Sequence, residues 1–519
     1  MTSKIFLLPP QTSPLEVKRV LQAHFAAAGG TLRRHPLNLL DSFDWRLFRQ
    51  GQLLLATSGL WRLVDQHTGK VIASAAGDMP DLPLFWWQLP DSELRKILRE
   101  ALDVRALMCR LPLRRAVMAL QMSNEAQAIV AGVDVDILRI ADAPARAAAL
   151  LGTCTPASVR GHAPARRAVE KVLTAMGAMP AREHPLVTAL HRAGQQPGHY
   201  STKIELRLEP ELTVPAAARI ILKHLVGIMR CNEEGIRQDI DTEFLHDFRV
   251  AVRRSRSLFT LLKQELEPTA LAELKTGLRE LGQATNALRD LDVYLLRQER
   301  YRKLLPAALR PAIAAWFEAL RRQRRRAVKK MGSFLASDRH GRIMAAVERF
   351  AGVQGEAAGP QARSILDVAR REIGRRFQKT IHIGRRIDVA TADARLHRLR
   401  IQCKQLRYAL EFFHSLFPPE PVAEIIRQAK VLQDYLGAYN DLAVQQQFLF
   451  DHLKQLPAQK TPRQEALAAA VGALMGSLFL EKQQRRAAFA DVFVRFDTAD
   501  NHALFQNLCT PPSKAIEPQ

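Results

Sequence analysis

The sequence predicts two parts: an α+β N-terminal domain with several antiparallel strands over residues 1–210, then an all-α duplicated helical bundle over 215–510. Three observations predict this. The stretch Glu243–Lys263, EFLHDFRVAVRRSRSLFTLLK, recurs without a gap as Ala394–His414, ARLHRLRIQCKQLRYALEFFH. The same offset of 151 positions, set by His246 and His397, carries RDLDV (Arg289–Val293) onto NDLAV (Asn440–Val444), with Asp290 on Asp441. A register shared over some fifty residues marks an internal duplication. In contrast, residues 1–210 read mostly as short strands and hairpins between a few helices.

In the N-terminal part, Pro14–Ala28 predicts a short helix. Strand-like pieces follow at Trp45–Phe48, Leu53–Leu55 and WRLVDQHTGKVIAS, with a hairpin turn at His67–Gly69. Asp91–Leu107 is a predicted helix capped by Asp91 or Ser92, and AVMALQMSNEAQAIVAGVDVDIL a second hairpin turning at Ser123–Glu125. Ala163–Met176 is helical again. TKIELRLE (Thr202–Glu209) alternates apolar Ile204, Leu206 and Leu208 with charged neighbours, as a strand with one polar face does. Such alternation fits a barrel with a polar lumen or a sheet open to water.

Pro210 and Pro215 mark the boundary. Predicted helices then run Ala216–Gln238, Thr242–Leu266, Ala270–Leu288, Asp290–Arg302 and Pro311–Met331. GVQGEAAGP (Gly352–Pro360) breaks the series. A second set follows at Ser364–Arg386, Ala392–Phe417, Pro421–Tyr439, Asp441–Gln455 and Arg463–Arg495. Repeat one thus covers about 215–350 and repeat two about 362–510, packed with approximate two-fold symmetry. Residues 511–519 are expected to be a disordered tail.

The repeated motif has a legible face. His246, Arg249, Arg253 and Arg256 follow i, i+3, i+7, i+10, and His397, Arg400, Lys404 and Arg407 do the same. The apolar stripes Leu245, Phe248, Val252, Phe259, Leu262 and Leu396, Leu399, Cys403, Leu406, Leu410, Phe413 are displaced by one residue, about 100° of rotation. The bases therefore flank the packing face and point along the edge of a helix–helix seam. Two such helices face to face would line one groove with six cations and two imidazoles. Their repulsion calls for a polyanion, and arginine grips phosphate oxygens through charge-assisted, often bidentate bonds.

Composition agrees. The net charge of +24 favours polyanionic partners. Residues 1–210 carry 26 Lys and Arg against 18 Asp and Glu, and residues 211–519 carry 50 against 34, so the excess is spread along the chain. Aromatic residues are 6%, few for a protein that stacks bases, which makes nucleic acid the less favoured polyanion. No apolar run is long enough to span a membrane. Cys109, Cys154, Cys231, Cys403 and Cys509 show neither paired nor metal-ligand spacing, which predicts a reducing, cytoplasmic compartment. His184, His191 and His199 lack partner acids, so neither a metal nor another cofactor is expected. RRQRRRAVKK (Arg321–Lys330) has seven bases in ten residues, and reads equally as an exposed helix end or as an added polyanion contact. Asp290 and Asp441 read as structural, capping a helix or pairing with an arginine, rather than as catalytic acids.

FDWRLFRQGQLLL (Phe43–Leu55) and its place before such a repeat resemble the CYTH family of triphosphate tunnel enzymes. That resemblance implies a barrel whose lumen grips triphosphate and a divalent metal, with a Glu-x-Glu-x-Lys signature on its first strand. MTSKIFLLPP has no glutamate there, and Arg62 is the one later lumen base that stands out. The resemblance therefore implies a degenerate, tunnel-type domain without hydrolase activity, since phosphoryl chemistry of this kind needs carboxylates to hold the ion.

LHDFRVAVRRSRS and LHRLRIQCKQLRY, together with LGQATNALRDLDV and LQDYLGAYNDLAV, resemble the CHAD family, the conserved-histidine α-helical domain. This implies a long-helix bundle with a basic cavity that binds inorganic polyphosphate without catalysis. Carried onto this sequence, the ligand residues are His246, Arg249, Arg253, Arg254, Arg256, His397, Arg400, Lys404 and Arg407, with Lys223 and Arg375 one helix upstream. Gln405 stands where repeat one has Arg254. The competing readings are a triphosphate hydrolase in the N-terminal domain and a nucleic-acid-binding or granule-scaffolding protein.

Overall fold

The computed structural model describes residues 4–78, 81–144, 149–159, 162–353, 363–457 and 461–510. The predicted break after Val353 and the tail beyond Thr510 lie outside these residues. The chain divides into two compact units, Met1–Ser201 and Thr202–Gln519.

The first unit runs β1 (Phe6–Leu7), α1 (Pro14–Gln22), β2 (Ala26–Gly29), β3 (Arg33–Asp41), α2 (Arg46–Arg49), β4 (Gln52–Thr57), β5 (Leu60–Asp65), β6 (Val71–Ala76), α3 (Glu93–Leu102), β7 (Met108–Ser123), β8 (Ile129–Ile140), β9 (Leu151–Ser158), α4 (Ala163–Ala175), β10 (Met179–Pro180) and α5 (Pro185–Arg192). All pairings are antiparallel, in the order β10-β1-β9-β8-β7-β3-β4-β5-β6, with β2 also on β7. Alternation along β7 and β8 sets the two faces. Ala116, Met118, Leu120, Met122, Val133, Val135 and Ile137 pack on one side with α1 and α4. On the other side Leu111, Leu113 and Leu138 pack with Leu186, Val187 and Leu190 of α5. Beside that apolar filling a cavity of about 310 Å³ carries Arg62, Arg115, Asp134, Asp136, Thr153, Thr155 and His184. Ile5 and Val71, from opposite ends of the strand order, line it together, so the sheet curls as a barrel does.

Trp45–Phe48 is not a strand. The Asp41 carboxylate accepts from the N–H groups of Leu47 (3.0 Å) and Phe48 (2.9 Å), capping the single turn of α2, while Trp45 enters it with φ 58. Burial pushes that carboxyl up to about 6, and the backbone donors hold it back. The predicted first helix stops at Gln22, and its last residues pair with β7 as β2.

The second unit opens on Thr202–Glu209, which has no strand partner despite its alternation. It is an extended strap whose apolar side, Ile204 and Leu208, is buried. Its polar groups are met by side chains: Leu208 N–H donates to Ser415 Oγ (3.0 Å) and the Lys203 carbonyl pairs with His224 Nε2 (3.0 Å). Helices α6 (Val214–Arg237), α7 (Thr242–Leu261), α8 (Pro268–Ala284), α9 (Asn286–Leu296), α10 (Gln298–Leu304), α11 (Arg310–Leu335) and α12 (Asp338–Gly352) form the first repeat. The second has α13 (Ile365–Gly384), α14 (Asp393–Phe413), α15 (Pro419–Lys454), α16 (Pro462–Ala487), α17 (Phe489–Val494) and α18 (Ala499–Cys509). The 151-residue offset sets α6 on α13, α7 on α14, α8 and α9 on α15, and α11 on α16. Thr213 and Ser364, the N-caps of α6 and α13, pair with each other through an isolated antiparallel bridge. Both apolar stripes read from the sequence are buried. A shared core of Tyr301, Trp316, Phe317, Leu442, Leu449, Val471 and Leu474 joins the repeats. The predicted break between Tyr439 and Asp441 is absent, because α15 runs through it as one 36-residue helix. Among the described residues no helix is long and apolar enough to cross a membrane.

Candidate functional site

Helices α7 and α14 pack against each other, and the bases beside their apolar stripes meet at the seam. A cavity of about 480 Å³ opens there. Arg253 reaches it from α7 and Arg400, Lys404 and Arg407 from α14, with Arg297, Arg300 and Arg485 from neighbouring helices. Three carboxylates, Asp434, Asp441 and Glu481, stand against these seven cations. A second cavity of about 300 Å³ shares His246, Arg253, Arg297 and Asp441 with the first and adds Arg249, Arg289 and Asp290. The Arg297–Asp441 ion pair (2.9 Å) lines both, so the two cavities are lobes of one basic groove.

The cations are held to different degrees. Arg253 Nε donates to the Tyr408 hydroxyl (2.8 Å), and Arg407 donates to Gln433 Oε1 (2.7 Å) and pairs with Glu411. Arg300 pairs with Glu481. Among the described residues Arg400 and Lys404 have no ion-pair partner. Burial, followed by the neighbouring Arg253 and Arg400 guanidiniums, pushes the Lys404 amine down to about 7, with only Asp441 opposing. Burial likewise depresses Arg400, with Asp441 holding it up and Arg253 adding to the depression. Positive charge is therefore stored at cost at this spot, as an anion-binding site requires.

Several residues expected to bind ligand do other work. Arg254 is buried; it pairs with Glu411 (3.0 Å) and bonds the Thr202 carbonyl, bracing α7 to α14 and to the strap. Arg256 lines neither lobe and lies against Gly282 of α8. Arg249 reaches the smaller lobe, yet donates to Thr285 Oγ1 (2.5 Å), Asn286 Oδ1 (2.9 Å) and the Gly282 carbonyl (3.2 Å). His397 is turned away to Asn440 Oδ1 (2.7 Å), whereas its counterpart His246 lines both lobes. Lys223 and Arg375 are exposed and line neither lobe; Arg375 bonds Glu372 (2.7 Å). Asp441 does pair with an arginine.

Arg289, Arg297, Arg300 and Arg485 were not singled out from the sequence. A signal existed for two of them: Arg289 begins the repeated RDLDV, and Arg297 lies about two turns on, at the C-cap of α9.

Residues 220–449 match the family model described as the CHAD domain. No curated protein matches the chain. Among solved structures, the CHAD domain from the plant Ricinus communis is similar at 24% identity, covering 57% of this chain and 96% of that one with a TM-score of 0.47. PptA from Streptomyces chartreusis is similar at 17% identity, covering 54% and 99%, with a TM-score of 0.44. The family match begins within α6, ends within α15 and takes in both copies of the repeated motif: residues 220–449 of this chain are a CHAD domain.

Proposed function

We propose that the helical unit binds inorganic polyphosphate in the groove between α7, α14 and α15, and does not turn it over. The observation that carries this is the pair Arg400 and Lys404, which face the cavity beside Arg253 and Arg407 with no ion-pair partner among the described residues. A linear polyanion would neutralise that charge through charge-assisted bonds, so capture is electrostatic and weakens with salt. Both tyrosines that line the lobes are already engaged, Tyr408 buried and held by Arg253 and Tyr294 buried and stacked on Phe448, which leaves no platform for stacked bases.

Competition at near-physiological salt tests this. Labelled long-chain polyphosphate is challenged with DNA, RNA and unlabelled polyphosphate at matched phosphate concentration. Displacement by polyphosphate alone is the expected result, and equal displacement by nucleic acid overturns it. Phosphate release from the bound polymer would overturn the non-catalytic part.

The sheet unit, on this reading, is a degenerate CYTH-like barrel that hydrolyses no triphosphate. Leu186, Val187 and Leu190 occupy part of its concave face, and Arg115 is neutralised there by Asp136 (2.6 Å). Magnesium- or manganese-dependent phosphate release from tripolyphosphate by the full chain, lost on substitution of Arg62, would reverse this. The reading places the protein in the cytoplasm, at polyphosphate granules. Imaging of the tagged chain beside stained granules checks it, and a distribution that ignores them overturns the granule part.

A further inference from the structure

The basic run 321–330 is not a helix end; it lies within α11, which continues to Leu335. Its bases divide cleanly. Arg324 faces inward, with Nε 2.7 Å from Asp292 of α9 and both terminal nitrogens 2.7 Å from Asp239. Arg321 pairs with Glu318 and Gln298. Arg322, Arg325, Arg326, Lys329 and Lys330 are exposed, and none has an acidic partner among the described residues. They follow i, i+3, i+4, i+7, i+8, one helical face about 12 Å long.

Folding does not require this face. The residues 151 positions on, Ala473, Gly476, Ser477, Leu480 and Glu481 of α16, include no base, and α16 is an equally long helix. Like charges three and four residues apart weaken a helix, so repeat one carries a repulsion that repeat two avoids. The face bears no apolar or aromatic side chain to enter a bilayer or stack on bases. What it presents is a row of phosphate-binding groups. It is also distinct from the groove: α9 turns Arg289, and its C-cap Arg297, toward the lobes and Asp292 toward α11.

We propose that this face of α11 is a second phosphate-binding surface, occupied by the part of a long polyphosphate chain that extends beyond the groove, so that the protein selects long chains over short ones. The proposal rests on the polyphosphate reading of the groove. Once one end of the polymer is captured, contact with α11 becomes intramolecular, and linked sites of this kind gain roughly 100-fold or more over a single one. Tripolyphosphate reaches one site only and gains nothing.

The test compares the full-length protein with a variant carrying Arg322→Gln, Arg325→Gln, Arg326→Gln, Lys329→Gln and Lys330→Gln. Affinities for tripolyphosphate, long-chain polyphosphate and duplex DNA are measured across a salt series. The expected result is unchanged tripolyphosphate affinity, a loss of about tenfold or more for long chains, and a shallower salt dependence for long chains. Helicity should hold, since the substitutions relieve repulsion. A variant that keeps the wild-type ratio of long- to short-chain affinity overturns the proposal, as does a wild-type protein with no such preference. Loss of duplex DNA binding alone would reassign the face to nucleic acid and overturn it too. Failure of the wild-type protein to bind either polyphosphate is a different result, and falls on the groove.

Discussion

Arg249 on α7 and Arg400 on α14 stand at equivalent positions of the repeat, yet one guanidinium is tied down and the other faces open space. Arg249 donates to Thr285, to Asn286 and to the Gly282 carbonyl, which also accepts from the Thr285 hydroxyl (2.8 Å). That carbonyl is drawn out of the helical ladder, and the helix breaks there: α8 ends at Ala284 and α9 starts at Asn286. In the second repeat the counterparts of Thr285 and Asn286 are Leu436 and Gly437. Neither offers a side-chain acceptor; α15 continues unbroken, and the space over Gly437 is part of the cavity. Duplication of one motif has thus given one half more of the scaffold and the other half more of the charge that faces the cavity.

The largest effect expected from this asymmetry is the joint reversal Arg400→Glu with Lys404→Glu. Each charge-assisted contact is worth about 1.5–3 kcal/mol, so polyphosphate affinity should fall roughly 100- to 10,000-fold while the thermal midpoint holds or rises, because repulsion is removed. Arg249→Ala should do the opposite, costing about 1–3 kcal/mol of stability as the buried Thr285 hydroxyl, the Gly282 carbonyl and the Asn286 amide lose their donor, with affinity changed far less. Titration calorimetry and thermal melts on both variants read the two quantities. Equal effects of the two on binding would dissolve the division of labour between the repeats.

Protonation offers a second way to break the comparison, because Lys404 stands where repeat one has Arg253. Its amine sits at about 7, against 10.5 for an unperturbed lysine. Below pH 7 both folded and unfolded chains hold that proton, and the folded chain bears the repulsion. Between about 7 and 10.5 the unfolded chain binds a proton that the folded one does not, so the free protein gains stability as pH rises through this window. Binding runs the other way. Phosphate favours the charged amine, so capture above pH 7 takes up a proton and weakens, by at most about tenfold per pH unit from this group. Calorimetry in buffers of different ionisation heat should register the proton uptake, and Lys404→Arg should abolish it. An unchanged proton count in that variant would remove Lys404 from the ligand's surroundings.

The offset of 151 and the 3.6-residue periodicity made the bundle, its stripes and the neighbourhood of the site legible in the sequence, because helices obey local rules. What each base does was not, because that depends on residues across the seam. Arg254 reads as one more base of the motif until Glu411 and the Thr202 carbonyl enclose it. Arg300 and Arg485 join the cavity from helices with no basic periodicity to announce them. Thr202–Glu209 alternates as a strand does, but side chains of the helical unit meet its backbone in place of a neighbouring strand. Trp45–Phe48 became a helical turn through the buried carboxylate of Asp41, several residues earlier.

The sharpest test of the asymmetry is also the smallest change. Gly437→Asn places in repeat two the acceptor that pins Arg249 in repeat one, and the added Cβ meets nothing within 4 Å. Asparagine is a better helix residue than glycine by a few tenths of a kcal/mol, so the fold should be slightly firmer. Arg400 should then turn from the cavity to its new partner, and polyphosphate affinity should fall about 3- to 10-fold, one contact's worth in part. A variant that is more stable and binds less tightly cannot be explained by damage to the fold. The reciprocal Asn286→Gly should loosen Arg249, cost about 1 kcal/mol through the lost hydrogen bond, and leave affinity the same or slightly higher. Should Gly437→Asn bind as the wild type does, the neighbour at this one position would not be what separates Arg400 from Arg249, and the difference would have to come from the break between α8 and α9 itself.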